Sequence, residues 1–231
     1  MAKQSRVSLK RKKELDRPDS VISTLSLVMN YIVEKKVLLS GVFCVFIVLT
    51  IVLSGYNYYS TKSENTAFEL LEKAMFKYNS AVKDKVADNF ESYPEKELIN
   101  IIENHSRTNG AKYARMALAD IYHQLGSYDK AINLYNESLK DFKGKPVYRN
   151  IVLNCLGYSY EGKKDYKTAV TYFEKITSGS DRVMKGEAFF NLGRIYSLIG
   201  DDKKSREFFE KVLSDYKESL YIEMVKEKMS G

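Results

Sequence analysis

The sequence predicts an all-α protein in which an α-solenoid of helical hairpins follows a single transmembrane helix. Two features lead there. Between Ala111 and Leu213 one pattern occurs three times: a small residue, then Tyr at three residues on, a turn residue at seven, a second small residue at twelve and an aromatic at sixteen. The copies are Ala119, Tyr122, Gly126, Ala131 and Tyr135; Gly157, Tyr160, Lys164, Ala169 and Phe173; and Gly193, Tyr196, Gly200, Ser205 and Phe209. A unit of this length cannot bury its apolar face alone, so copies stack into a solenoid. The second feature is Val37 to Tyr56, twenty residues without a charge, which as a helix spans about 30 Å, the thickness of a bilayer core.

Taken in order, residues 1–36 read as a basic cytoplasmic tail. They hold nine Lys or Arg against four acids and so supply +5 of the net +7. The remaining chain is close to neutral, and the high net charge is therefore no sign of a nucleic-acid partner. Beside a span, the run Lys10 to Lys13 serves topology and contact with anionic lipid more readily than RNA. Val21, Ile22, Leu25, Met29, Ile32 and Val33 fall at helical spacing, which predicts an amphipathic helix over Ser20 to Glu34, lying on the inner membrane surface. Residues 37–56 are the span. A signal peptide would end in a small-x-small cleavage site, whereas Tyr56, Asn57, Tyr58 and Tyr59 come next here. From Tyr56 to Lys73 there are only Lys62 and Lys73 against three Glu, so the excess of basic residues keeps the N-terminus in the cytoplasm and places the chain beyond Tyr56 on the extracytoplasmic side.

Residues 57–110 are expected to form a stalk and a degenerate first hairpin. Ala67, Leu71, Met75, Tyr78 and Val82 line one face of Glu64 to Val86, Phe90 to Pro94 interrupts, and Leu98, Ile101, Ile102 and His105 line Glu95 to His105. This hairpin lacks the small-residue signature. Residues 111–217 hold the three repeats, with Leu118, Leu156 and Leu192 before the first small residue on the buried face. That small residue lets the second helix approach closely, and the late aromatic is expected to fill the gap to the next hairpin. Extra residues fall in the turns around Gly144 to Pro146 and Ser178 to Asp181. Residues 218–231 complete the array with a capping helix, Leu220, Ile222, Met224, Val225 and Lys228 lying on Ser219 to Met229.

Catalytic chemistry has little footing in this chain. His105 and His123 are not at i, i+4 spacing on one helix and have no Cys beside them. No Gly-rich phosphate loop follows a strand. Cys155 lies on a packed helix without the base a nucleophile needs, and Cys44 is inside the span, so the two do not pair. Neither an enzyme activity nor a metal or other cofactor is expected. The sequons at Asn104 and Asn136 fall inside helices and read as chance.

The three-copy pattern resembles the tetratricopeptide repeat, although the spacing from Ala119 to Gly157 is 38 residues and from Gly157 to Gly193 is 36, against the family's usual 34. Lys164 stands where the other copies have Gly, and Asp202 where they have Tyr128 and Tyr166. The resemblance implies a concave groove lined by the residue after the small one and those four either side of it. In this chain these are Met116, Asp120 and His123, then Asn154, Tyr158 and Glu161, then Phe190, Arg194 and Ser197. Met116 and Asp120 do not match the Lys and Asn with which some relatives clamp an acidic C-terminus. In the order of its parts, a basic tail, a span, a long first helix and then YARMALADIYHQLGSYDKAINLY, the chain also resembles the ancillary subunit of the bacterial Sec translocon. That resemblance implies an inner-membrane protein with periplasmic repeats whose partners are translocon subunits, periplasmic chaperones or client polypeptides. The alternative is a structural scaffold or adaptor for an envelope assembly or cell-division complex.

Overall fold

Every element among the described residues is helical. The computed structural model describes residues 20–83 and 93–230; the tail before Ser20 and most of the predicted break at Phe90 to Pro94 lie outside them. The helices are α1 (Ser20–Glu34), α2 (Lys36–Lys83), α3 (Glu95–Asn104), α4 (Asn109–Gln124), α5 (Tyr128–Asp141), α6 (Pro146–Gly162), α7 (Tyr166–Thr177), α8 (Lys185–Leu198), α9 (Asp202–Asp215) and α10 (Ile222–Ser230). They form two compact units, one ending at Tyr59 and the other beginning at Ser60.

In the first unit, α1 occupies the predicted amphipathic segment and the uncharged run lies within α2. None of the most apolar stretch of α2 is buried, and it is the one helix among the described residues long and apolar enough to cross a membrane. Asn57 to Ser63 continue α2 without a break.

The second unit begins as α2 acquires a buried stripe. Ala67, Ala74 and Tyr78 are buried, but Val82 is exposed. Leu71 and Met75 pack on the same core, and Val82, which shares their face, is the last residue but one of the helix. Leu98 and Ile101 of α3 join the same core. The small residues of this first pair do their work against the next hairpin: a Cβ on Gly110 would sit 2.7 Å from that of Ala67. Glu64 accepts hydrogen bonds from the Asn109 and Gly110 amides, which ties α2 to the positive end of α4.

Three hairpins come next, α4 with α5, α6 with α7 and α8 with α9, and their turns are alike for a definite reason. The residue seven past the small one has positive φ each time, 70° at Gly126, 62° at Lys164 and 79° at Gly200. The next amide then closes back on the first helix, Ser127 to Tyr122 O, Asp165 to Tyr160 O and Asp201 to Tyr196 O, each at 2.9 Å. This is the six-to-one bond of a left-handed helix stop. Asp165 and Asp201 cap the next helix by accepting from the amides of Thr168 and Lys204, an exchange of one helix end for the next start.

The late aromatics reach the next hairpin, since Phe173 shares a buried cluster with Ala188 and Leu192 and Tyr135 one with Val152 and Leu156, but they also have a second contact. A Cβ on Gly157 would come 2.5 Å from the Phe173 ring, and one on Gly193 would come 2.6 Å from Phe209. Each ring therefore also covers the small residue of its own hairpin. Antiparallel pairing across a short turn places offset sixteen opposite offset zero, which the linear spacing alone does not show. Leu118, Leu156 and Leu192 are buried as expected. The final helix starts at Ile222, so its covering face is Tyr221, Ile222, Val225 and Met229, packed on Phe190, Phe209 and Val212. Leu220 and Met224 are exposed.

Candidate interaction groove

The first helices of the second and third hairpins meet through polar side chains. Asn154 Nδ2 and the Tyr158 hydroxyl both donate to Glu187 Oε1, at 2.9 and 3.0 Å. Asn191 Nδ2 in turn donates to the Tyr158 hydroxyl at 2.9 Å. Beyond them Arg194 grips Glu161 with both terminal nitrogens, one contact at 2.6 Å. Burial and the neighbouring Glu187 raise the Tyr158 phenol above its ordinary range, so it stays a neutral donor and acceptor. Planar Arg–carboxylate pairing fixes register as well as charge, and here it locks α6 to α8.

A groove of about 700 Å³ opens beside this seam. Five of the nine residues expected on the concave face line it: His123, Tyr158, Glu161, Phe190 and Arg194. The other four do not. Met116 is half-buried against the first core. Asp120 accepts a hydrogen bond from Tyr135, and burial raises its carboxyl above the usual range. Asn154 is buried in the seam. Ser197 is exposed in a smaller hollow with Asp202 and Arg206.

Among the five, availability differs. Phe190 is only 4% exposed because Tyr221 stacks on it, with centroids 4.5 Å apart and planes 17° from parallel; it serves the packing of α10 and is no free aromatic anchor. Tyr158 packs edge-on against Phe173. His123 lies 3.0 Å from Ser159 Oγ and edge-on to Tyr128, and burial lowers its imidazole pKa from the ordinary histidine range. Glu161 and Arg194 satisfy each other.

Tyr128, Gly162, Lys164, Tyr166, Asn191, Met224 and Lys228 complete the groove, and the offsets expected for the concave face select none of them. Met224 and Lys228 come from α10, outside the repeat. Glu187 and Asn191, which hold the seam, also escape the offsets. The signal for Asn191 is an amide set between Phe190 and Leu192 in an otherwise apolar run, since a buried amide needs partners.

Among the described residues no three His, Cys, Asp or Glu side chains gather as metal ligands. Burial pushes the Cys155 thiol up to about 12, so it is not a thiolate at neutral pH.

Known repeat families agree with this architecture. Residues 113–140 and 152–178 match one tetratricopeptide-repeat family and residues 187–219 match another. No curated protein matches the chain in sequence. Among solved structures the chain is similar to BtubC (BKLC) from P. vanneervenii, with 18% identity over 78% of both chains and a TM-score of 0.49. It is also similar to MamA of AMB-1, with 13% identity over 73% of this chain and 98% of that one and a TM-score of 0.41. The protein thus carries tetratricopeptide repeats in an α-solenoid, and such repeats mediate interactions between proteins.

Proposed function

We propose that this is a membrane-anchored interaction protein, held by Val37 to Tyr56 in the bacterial inner membrane with its N-terminus cytoplasmic and its repeats periplasmic. In this reading it is an accessory of the Sec translocon or of the periplasmic chaperone network. The observation that carries it is the apolar part of α2, exposed on every side and free of charge. In water that surface would be a large aggregation liability, whereas in a bilayer it is matched by lipid. The basic tail before it and the acid-rich flank after it give the orientation. Residues 57–110 then act as stalk and first hairpin, and the three repeats are the platform offered to partners.

A second reading has its own support. Asn154, Glu161 and Arg194 spend their hydrogen bonds within the solenoid, as suits a rigid scaffold or adaptor in an envelope or cell-division assembly. Affinity purification of the full chain from solubilised membranes separates the two. Translocon subunits and folding factors are expected; recovery of cell-wall or division proteins alone would favour the scaffold. Protease added to spheroplasts should digest residues beyond Tyr59, and protection of the repeats there would overturn both.

A further inference from the structure

We propose that the groove between the second hairpin, the third hairpin and α10 takes an acidic segment of an extended polypeptide, with carboxylates at Lys164 and Lys228 and an apolar side chain on Met224. This rests on the reading that the repeats bind polypeptide, and names the chemistry of what they bind.

The charges of the groove do not cancel, and the imbalance has one sign. Its Glu161 is neutralised by Arg194 in a two-point contact, and the adjoining Glu187 accepts from Asn154 and Tyr158. Among the described residues no carboxylate lies within ion-pair distance of Lys164 or Lys228, whereas neighbouring Lys163 is paired with Asp129. A polypeptide laid in this groove therefore meets two uncompensated ammonium groups, one from the hairpin turn and one from the last helix.

Backbone strain at Lys164 points the same way. The equivalent turns use Gly126 and Gly200, yet this turn holds a Lys side chain at φ 62°, a region that disfavours a Cβ. Of the three turn positions only this one lines the groove. Its backbone makes the helix stop that glycine makes in the other two turns, so the turn does not call for the lysine side chain, which is left to act in the groove. Met224 is 47% exposed in the same wall, and an unbranched thioether adapts to varied apolar partners. The chain's own basic tail does not fit such a site, since its charge has the same sign.

The test uses the full chain in nanodiscs of zwitterionic lipid, titrated into a fluorescein-labelled peptide of alternating Glu and Phe, with a Lys and Phe counterpart and unlabelled polyglutamate as competitor. The Glu and Phe peptide should bind and its Lys counterpart should not. The Lys164→Gly and Lys228→Gln double variant, whose changes lie at a turn and on an exposed helix face, should bind about tenfold more weakly. Polyglutamate should compete, and unchanged affinity in that variant, equal binding of both peptides, no binding of either, or no displacement by polyglutamate would each overturn the proposal. Affinity purification of the same variant keeps the two readings apart: translocon subunits that still co-purify when peptide binding fails leave the membrane reading standing.

Discussion

Two kinds of seam hold the repeats together, and they differ in chemistry. Within a hairpin the seam is apolar and tight, with Phe173 lying on Gly157 and Phe209 on Gly193 so closely that neither glycine has room for a methyl. Between the second and third hairpins an apolar layer that includes Val170, Phe173, Ala188 and Leu192 is edged by a polar seam, with Asn154, Tyr158, Glu187, Asn191, Glu161 and Arg194 joined by directed hydrogen bonds. The first kind gives stability through area removed from water and through dispersion. The second adds little net energy per bond but fixes how one hairpin sits on the next, because every unmade bond there leaves a desolvated group. A solenoid built this way has hairpins specified by shape and a curvature specified by polar pairing.

The end of the array gives the strongest check on that division. Phe190 stands in the helix that carries the polar seam, yet it is buried against Tyr221 and Phe209 as an apolar contact. Phe190→Ala should cost about 3–5 kcal/mol in urea unfolding of the full chain in detergent. A loss under about 1 kcal/mol would mean that α10 contributes little as a cover. The within-hairpin seam comes next. Gly157→Leu should cost about 1–3 kcal/mol by overpacking, while Gly144→Leu, with nothing within 4 Å of a Cβ, should leave the melting temperature unmoved. Equal shifts for both would break the small-on-aromatic account.

The polar seam predicts a smaller loss of a different kind. Asn191→Leu leaves the Tyr158 hydroxyl without one donor and should cost about 1–2 kcal/mol. The same change should uncouple hairpins, seen as faster amide exchange in α8 and α9 than in α4 and α5. Uniform exchange along the repeats would assign the seam no orienting role.

This contrast also explains how far the molecule is legible in its sequence. The hairpins are legible because a close approach demands a small residue and a covering ring at fixed offsets, and three copies repeat the demand. Even so, linear spacing alone does not show that Phe173 and Phe209 also lie on the small residue of their own hairpin. The groove is half legible. Offsets find His123, Glu161 and Arg194, but they also select Phe190, which α10 covers, and Asn154, which the polar seam consumes. Lys228 and Met224 are out of reach, since they come from a helix outside the repeat whose start falls three residues later than its apolar pattern suggests. Polar seams follow no period and are specified pair by pair, so the Asn191 to Tyr158 contact has no signature in one sequence.

The smallest expected effect is a gain, and it sets stability against function at one residue. Lys164 adopts φ 62° where the two equivalent turns have glycine. A Cβ in the left-handed region costs about 1–2 kcal/mol, but glycine gives back about 0.4–1 kcal/mol through the greater freedom of its unfolded chain. Lys164→Gly should therefore raise stability by roughly 0.5 kcal/mol, within the spread of those two effects, seen as a small rise in the urea midpoint with no change in slope. The same variant should bind the acidic peptide less well, because the strained lysine is one of the two uncompensated charges of the groove. Two seams with no other duty would both gain from relief of strain. A turn that loses affinity while gaining stability marks the second hairpin as the one whose geometry is kept for a ligand, and a variant that gains stability and keeps its affinity would return Lys164 to the ordinary solvated surface.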